Sequence, residues 1–249
     1  MALKYKTRAF VFKKSDMGES DRFFSVFTEE FGRLEIFGKA IRKTASKLRS
    51  GIDIFFMSEI EFIQGKTRKT LTDAVATEKF NNVWQDLEKF KTANRIGEVL
   101  DNFIKGEQKD ENVFNLLNET FTTLDKFQVP SSKFQALYYY FLWSLLSLLG
   151  YHPQVEKCNI CQQKLNPYAI YFSDKIGGTI CKKCLGHDAS ATKINSDIVK
   201  IFRLIFKKDW QMLSKLKIEV SSQKLFENVS ENYYAYILSG HSSKNNYHH

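Results

Sequence analysis

Apolar and polar positions alternate with a period of two over the first 80 residues, and the spacing then changes to three and four. Tyr5 to Lys13 and Asp21 to Thr28 read as strands, with Lys13 to Glu19 as the loop between them. Gly32 opens a third run, Arg33-Leu34-Glu35-Ile36-Phe37, of clean alternation. In the fourth run Ile52, Ile54, Phe56, Ile60 and Phe62 share one face, while Asp53, Glu59 and Glu61 share the other. Gln64-Gly65-Lys66-Thr67 is a turn, and Leu71 to Ala76 gives a fifth strand. Five short strands in about 75 residues suit a small closed barrel, because closure removes exposed edges. An OB-fold is the leading form and an SH3-like barrel the second.

The helical period begins with Val83, Leu87, Phe90, Ile96, Val99, Leu100 and Phe103, and Lys105-Gly106 closes that segment. Asp110 is expected to cap a second helix burying Val113, Leu116, Leu117, Phe121 and Leu124. Pro130-Ser131-Ser132 precedes a third, ending at Leu149-Gly150 and apolar nearly all round, the mark of a central helix. Ile198 to Phe206 and Leu225 to Leu238 are helical again, and the polar end from Gly240 is expected to fray. The predicted class is α+β. An OB-fold spans 1–80, an α-helical domain with a zinc finger at 158–184 spans 81–240, and 241–249 form a disordered tail.

Composition adds less than pattern. Hydrophobic residues at 43% and charged residues at 26% describe a folded chain. No apolar stretch of seven or more follows the basic start, which argues against a secretory signal. Ala136 to Leu149 contains Ser144 and Ser147 and is too short for a membrane span. A cytoplasmic protein with no membrane partner is expected. The net charge of +9 favours polyanionic partners without specifying a fold.

The four cysteines fall in one segment, Cys158-Asn-Ile-Cys161 and Cys181-Lys-Lys-Cys184. The 19 intervening residues include a hairpin, Ala169 to Phe172 returning as Gly177 to Ile180, able to bring both pairs together. Zinc accepts four thiolates tetrahedrally without redox chemistry, and the spacing is that of a four-cysteine zinc site. Two disulfides, a redox pair and an iron–sulfur cluster are the alternatives; disulfides would require an oxidising compartment. Four cysteines fill the sphere and leave no position for water, so the expected role is structural. His152 and His187 read as surface or supporting residues.

The first 80 residues hold 16 lysines and arginines against 11 acids. OB-folds bind single strands on strands 2 and 3 and on the loops joining strands 1–2 and 4–5. Lys13 and Lys14 are assigned to the first of those loops, and Lys66, Arg68 and Lys69 to the second. The acid-free stretch after strand 3 adds Lys39, Arg42, Lys43, Lys47 and Arg49. These cations can neutralise phosphates and release counterions, which gives salt-sensitive, sequence-tolerant binding. Phe24 and Phe37 are the stacking candidates. Gly65-Lys66-Thr67 lacks the upstream glycine of a phosphate-binding loop, position 60 being Ile60. Glu19 and Asp21 read as turn and cap residues, and no catalytic motif appears. A non-enzymatic DNA-binding protein is expected; a zinc-ribbon nuclease-like enzyme and a zinc-stabilised protein adaptor are the alternatives.

The order of features resembles the RecO family of recombination mediators. The resemblance rests on Gly18-Glu19-Ser20-Asp21, on Phe27 to Arg33, on the basic stretch from Gly38 to Leu48, and on the four-cysteine segment after the long apolar helix. It implies an OB-fold, a helical domain with a zinc finger, and binding of single- and double-stranded DNA. It further implies annealing of complementary strands, partnership with RecR, and help in loading RecA onto strands covered by single-strand-binding protein, whose acidic tail the family recognises. By position it points to Lys39, Arg42, Lys43, Lys47 and Arg49 as DNA-facing. The family's turn usually reads Lys-Gly-x-Arg, whereas this chain has Gly38-Lys39-Ala40-Ile41-Arg42.

Overall fold

A computed structural model describes residues 3–126 and 132–244, with side chains described from 3 to 126 and from 135 to 240. Pro130 and Ser131, expected to introduce the third helix, lie outside the described residues, as do 245–249 of the expected tail. The chain forms two compact units divided between Tyr138 and Tyr139. The change of period near residue 80 therefore marks the end of the barrel, while compactness divides the chain later.

The first unit contains β1 (Lys4–Met17), β2 (Asp21–Thr28), β3 (Gly32–Gly38), β4 (Met57–Gln64) and β5 (Lys69–Glu78). They close into a barrel of order β1-β2-β3-β5-β4. Its closing seam is the parallel pair Ile36↔Lys69 and Phe37↔Thr70, and β4 pairs antiparallel with β1. A meander closed by a parallel β3–β5 contact is the OB-fold arrangement. The inward positions of alternation, among them Val11, Phe24, Val26, Leu34, Ile36, Ile60 and Phe62, form one buried cluster.

Two strand expectations change. β1 runs on to Met17 because the hairpin keeps pairing, past an irregularity between Val11 and Lys13, until Met17 meets Asp21. Lys13 and Lys14 are thus strand residues, and the connection is only Gly18-Glu19-Ser20. The fourth strand starts at Met57, since Phe55 sits at φ 62, a left-handed conformation that a strand cannot contain.

The helices α1 (Asn81–Gln85), α2 (Leu87–Phe103) and α3 (Glu111–Lys126) pack on the outside of the barrel within the same unit. The single segment expected over 83–103 is two helices, because the Asp86 carboxylate accepts from the Glu88 and Lys89 amides and begins α2 afresh. Asp110 caps α3 as expected, accepting from Asn112 and Val113 at 3.0 and 3.1 Å. Phe10, Phe55, Phe80 and Phe121 form the joint, with Phe10 and Phe121 centroids 4.4 Å apart. A Cβ on Gly97 would lie 2.9 Å from the Phe12 carbonyl, so α2 approaches β1 closely only with glycine there.

α4 (Ser132–Leu148) crosses the division in sequence. The second unit continues with β6 (Ile170–Ser173), β7 (Gly178–Cys181) and β8 (Thr192–Ile194), a sheet of order β7-β6-β8. It ends with α5 (Ser196–Phe206), α6 (Trp210–Lys215) and α7 (Val220–Lys244). The hairpin was expected; β8 and α6 were not. α7 runs through the first four residues assigned to the tail. Trp143 is fully buried, stacked on Tyr233 at 5.0 Å and edge-on to Phe202 at 4.7 Å. Its indole N–H donates to Ser230 at 2.9 Å, so the polar handle of a buried ring is satisfied. Among the described residues, no helix is long and apolar enough to cross a membrane.

Candidate metal centre and nucleic-acid interface

The two Cys-x-x-Cys turns meet because β6 and β7 fold back between them. Cys181 closes β7 and Cys184 follows on the 3-10 turn Lys182–His187. Cys158 N–H donates to the Gln163 carbonyl, and Gln162 N–H to the Cys158 carbonyl, which curls the first turn around its own sulfurs. The Asn159 amide donates to the Thr179 carbonyl at 2.8 Å, and its side chain to the Ile176 carbonyl at 2.8 Å. That clamps the first turn to the hairpin.

The four Sγ atoms all lie within 4.8 Å of one another, and Cys161 and Cys181 are 3.8 Å apart. Four sulfurs at the about 2.3 Å zinc–sulfur bond length stand about 3.8 Å apart along a tetrahedral edge. A disulfide needs about 2.05 Å. All four cysteines are free thiols. Burial raises the Cys158 thiol, but the backbone N–H groups of Cys161, Cys181 and Ile160 outweigh it and bring it down to about 6. Cys184 is pushed up to about 12 by burial and by its sulfur neighbours. Four thiolates this close repel one another, and a cation among them would offset that repulsion. The donor set fits zinc and can hold a metal ion.

The ten basic residues assigned to the barrel loops divide into three paired lysines, two arginines engaged within the fold and five exposed cations. Lys13 pairs with Asp101 at 2.7 Å, Lys14 with Asp53 at 2.6 Å and Lys69 with Glu107 at 2.5 Å. These three are tied into the fold. Arg42 pairs with Asp16 at 3.5 Å and donates to the Gly18 carbonyl at 3.0 Å, which ties the basic turn to the β1–β2 connection. Lys39, Lys43, Lys47, Arg49 and Lys66 are exposed and form no ion pair among the described residues. Arg68 lays its guanidinium over the Phe37 ring at 4.0 Å.

Asp21 connects these parts. Its carboxylate is held below the usual range, first by the Ala40 N–H it accepts at 2.7 Å, then by Ser20 and by the charges of Lys39 and Arg68. The charges of the turn after β3 and of the β4–β5 connection therefore act on a common carboxylate, which holds the turn after β3 through the Ala40 N–H.

The aromatic assignment changes. Phe24 lies in the barrel interior at 1% exposure, and Phe37, though outward, is 3% exposed beneath Arg68. Neither ring is open to a ligand. Phe23 pairs across from Phe37 on the outer face and remains partly exposed, the rings 5.2 Å apart. Adjacent phenylalanines at 23–24 and an apolar pair at 26–27 blur the alternation in sequence. The register Phe24↔Ile36 resolves it, since Ile36 points inward.

Phe23 floors a cleft of about 420 Å³, walled by Arg33, Glu35, Gln64, Thr67, Arg68, Lys69, Lys105 and Glu107. The α2–α3 connection reaches the barrel because Arg33 donates to the Ile104 carbonyl at 2.8 Å and pairs with Asp101 at 2.7 Å. Gly32, at φ 66, admits it: a Cβ there would stand 2.1 Å from the Gln108 carbonyl oxygen. In sequence Lys105-Gly106 marks only the end of a helical segment and Glu107 carries no assignment, and no local signal places them against a strand about 70 residues earlier.

Comparison with known proteins fits both halves. Residues 1–80 match the family described as recombination protein O, N terminal, and residues 85–245 match recombination protein O, C terminal. The chain belongs to the RecO family. A DNA repair protein RecO from Dehalococcoides mccartyi is 32% identical over 214 residues, covering 86% of this chain and 83% of that protein. One from Thermoanaerobacter sp. is 28% identical over 213 residues, covering 86% and 84%. Another, from Alkaliphilus metalliredigens, is 27% identical over 228 residues, covering 92% and 91%. The OB-like barrel and the cysteine cluster thus belong to a RecO-family DNA repair chain.

Proposed function

We propose that this RecO-family chain is a non-catalytic recombination mediator, which binds single- and double-stranded DNA and anneals complementary strands. With RecR it helps load RecA onto strands covered by single-strand-binding protein, whose acidic tail it engages. Its place is the cytoplasm, at the nucleoid. The observation that carries the reading is the group of exposed cations that form no ion pair among the described residues, Lys43, Lys47 and Arg49 on the β3–β4 connection and Lys66 on the β4–β5 connection, with exposed Lys39 near the Asp21 carboxylate. A cation already paired gives up that partner on meeting a phosphate. An unpaired one releases counterions from the nucleic acid at no such cost. Arg42, which would exchange its Asp16 partner, and Arg68, which lies over Phe37, are the further candidates in this reading.

A single zinc ion held by Cys158, Cys161, Cys181 and Cys184 stabilises the second unit in this reading; bound there it supplies folding free energy and no open coordination position. Mixing complementary strands precoated with single-strand-binding protein tests the function directly. Annealing above the protein-free rate is expected, with no strand cleavage in magnesium. Cleavage abolished by changing Glu19 or Asp21 would establish an enzyme instead. Protein partners retained after nuclease treatment, with no DNA binding, would establish an adaptor.

A further inference from the structure

We propose that the cleft on the outer face of β2 and β3 holds one unstacked base of a single strand, with Phe23 as its platform, so that this contact separates single strands from duplex. The inference deepens the DNA-binding reading and rests on it. Three features of the cleft argue for a base.

The floor is aromatic and partly open. Phe23 leans on Phe37 at 5.2 Å, and the Arg68 guanidinium covers Phe37 at 4.0 Å, so Phe23 is the ring of this group left to a ligand. A base has a π-face of either orientation to lay on such a ring, and stacking of this kind is tolerant of sequence.

The walls are polar in both senses. Gln64, Thr67, Arg68 and Lys105 bring donors, while Glu35 and Glu107 bring acceptors. A nucleobase edge carries donors and acceptors together. Glu35 is paired with Arg33 and Glu107 with Lys69, and each carboxylate keeps further acceptor positions for the edge of a base. The volume of about 420 Å³ lies at the small end of ligand sites.

The third feature is charge. Lys105 and Arg68 both line the cleft, and the charges of Arg68 and Lys39 both act on the Asp21 carboxylate. A strand whose base enters the cleft keeps its phosphates outside, within reach of these cations. A base inside a duplex has both faces covered by its neighbours and cannot reach Phe23 without leaving the stack. The basic turn, which touches phosphates alone, makes no such distinction.

The test compares wild type with Phe23→Ala and Phe23→Trp on a single-stranded oligonucleotide carrying 2-aminopurine and on the matching duplex. Wild type quenches the probe in the single strand. Phe23→Ala is expected to lose the quench and about tenfold in single-strand affinity, as for one stacked base, with duplex affinity unchanged. Phe23→Trp restores both, and matching thermal midpoints show that the fold is kept. Equal losses on strand and duplex, or no loss on the strand, overturn the proposal. Free dAMP competing as well as the oligonucleotide also overturns it, in favour of a small-molecule pocket. Wild type binding neither strand nor duplex overturns the DNA-binding reading itself, and this one with it.

Discussion

Replacing Lys43, Lys47 and Arg49 together by alanine separates electrostatic recognition from structure. All three side chains are exposed on the β3–β4 connection, Lys47 and Arg49 on its 3-10 helix Lys47–Ser50, and have no ion pair among the described residues. Each phosphate neutralised on a single strand contributes about 0.7 to the slope of log affinity against log salt. Three lost contacts therefore lower the slope by about 2, and at 50 mM monovalent salt each costs up to roughly tenfold in affinity. The informative comparison is the triple variant at Lys13, Lys14 and Lys69. It removes the same formal charge, but from side chains held by Asp101, Asp53 and Glu107 at 2.7, 2.6 and 2.5 Å. Those pairs contribute about 0.2–1 kcal/mol each to stability, so this variant should melt lower and keep its slope. Fluorescence anisotropy titrations between 50 and 300 mM salt, beside thermal melts, read both effects. An unchanged slope in the turn variant, or an equal fall in the comparison variant, would refute the division of the cations into free and committed groups.

Three further outcomes follow from the geometry. Purified protein should carry about one zinc per chain, and chelation should lower the melting of the second unit while strand signal from the barrel persists; atomic emission returning no zinc with four free thiols present would contradict this. Gly32→Ala forces a φ of 66 on an L-residue and drives its Cβ into the Gln108 backbone, so urea unfolding should show the first unit weakened by about 2–4 kcal/mol. Asp174, half-buried and facing the Asp188 carboxylate, has its pKa raised to about 6. An acid raised in the folded state weakens folding once ionised, so Asp174→Asn should stabilise at pH 7 by at most about 2 kcal/mol. That gain should fade as pH drops through 6 toward 4, which urea unfolding across the range checks.

The candidate sites were legible to different depths. The metal centre could be read whole, because Cys-x-x-Cys turns are local and the 19 residues between them hold their own hairpin. The basic turn after β3 was legible as charge, since no acid interrupts it from Gly38 to Arg49. Which lysines are free was not legible: the carboxylates that hold Lys13 and Lys69 lie 88 and 38 residues away. Nor was the open ring, because neighbouring Phe23 and Phe24 are chemically identical and only the register of β2 against β3 sends one inward.

Local chemistry in the sequence determined the five barrel strands, the main helical segments with the Asp110 cap, the class α+β and the four-cysteine set, since alternation, helical spacing and short-range ligand pairs act over a few residues. Tertiary structure alone decided the parallel β3–β5 seam, the packing of α2 and α3 on the barrel, and the cleft between Phe23 and the α2–α3 connection. Each of these joins segments distant along the chain, and their meeting depends on how the closed barrel and its helices pack, which no short window of residues records.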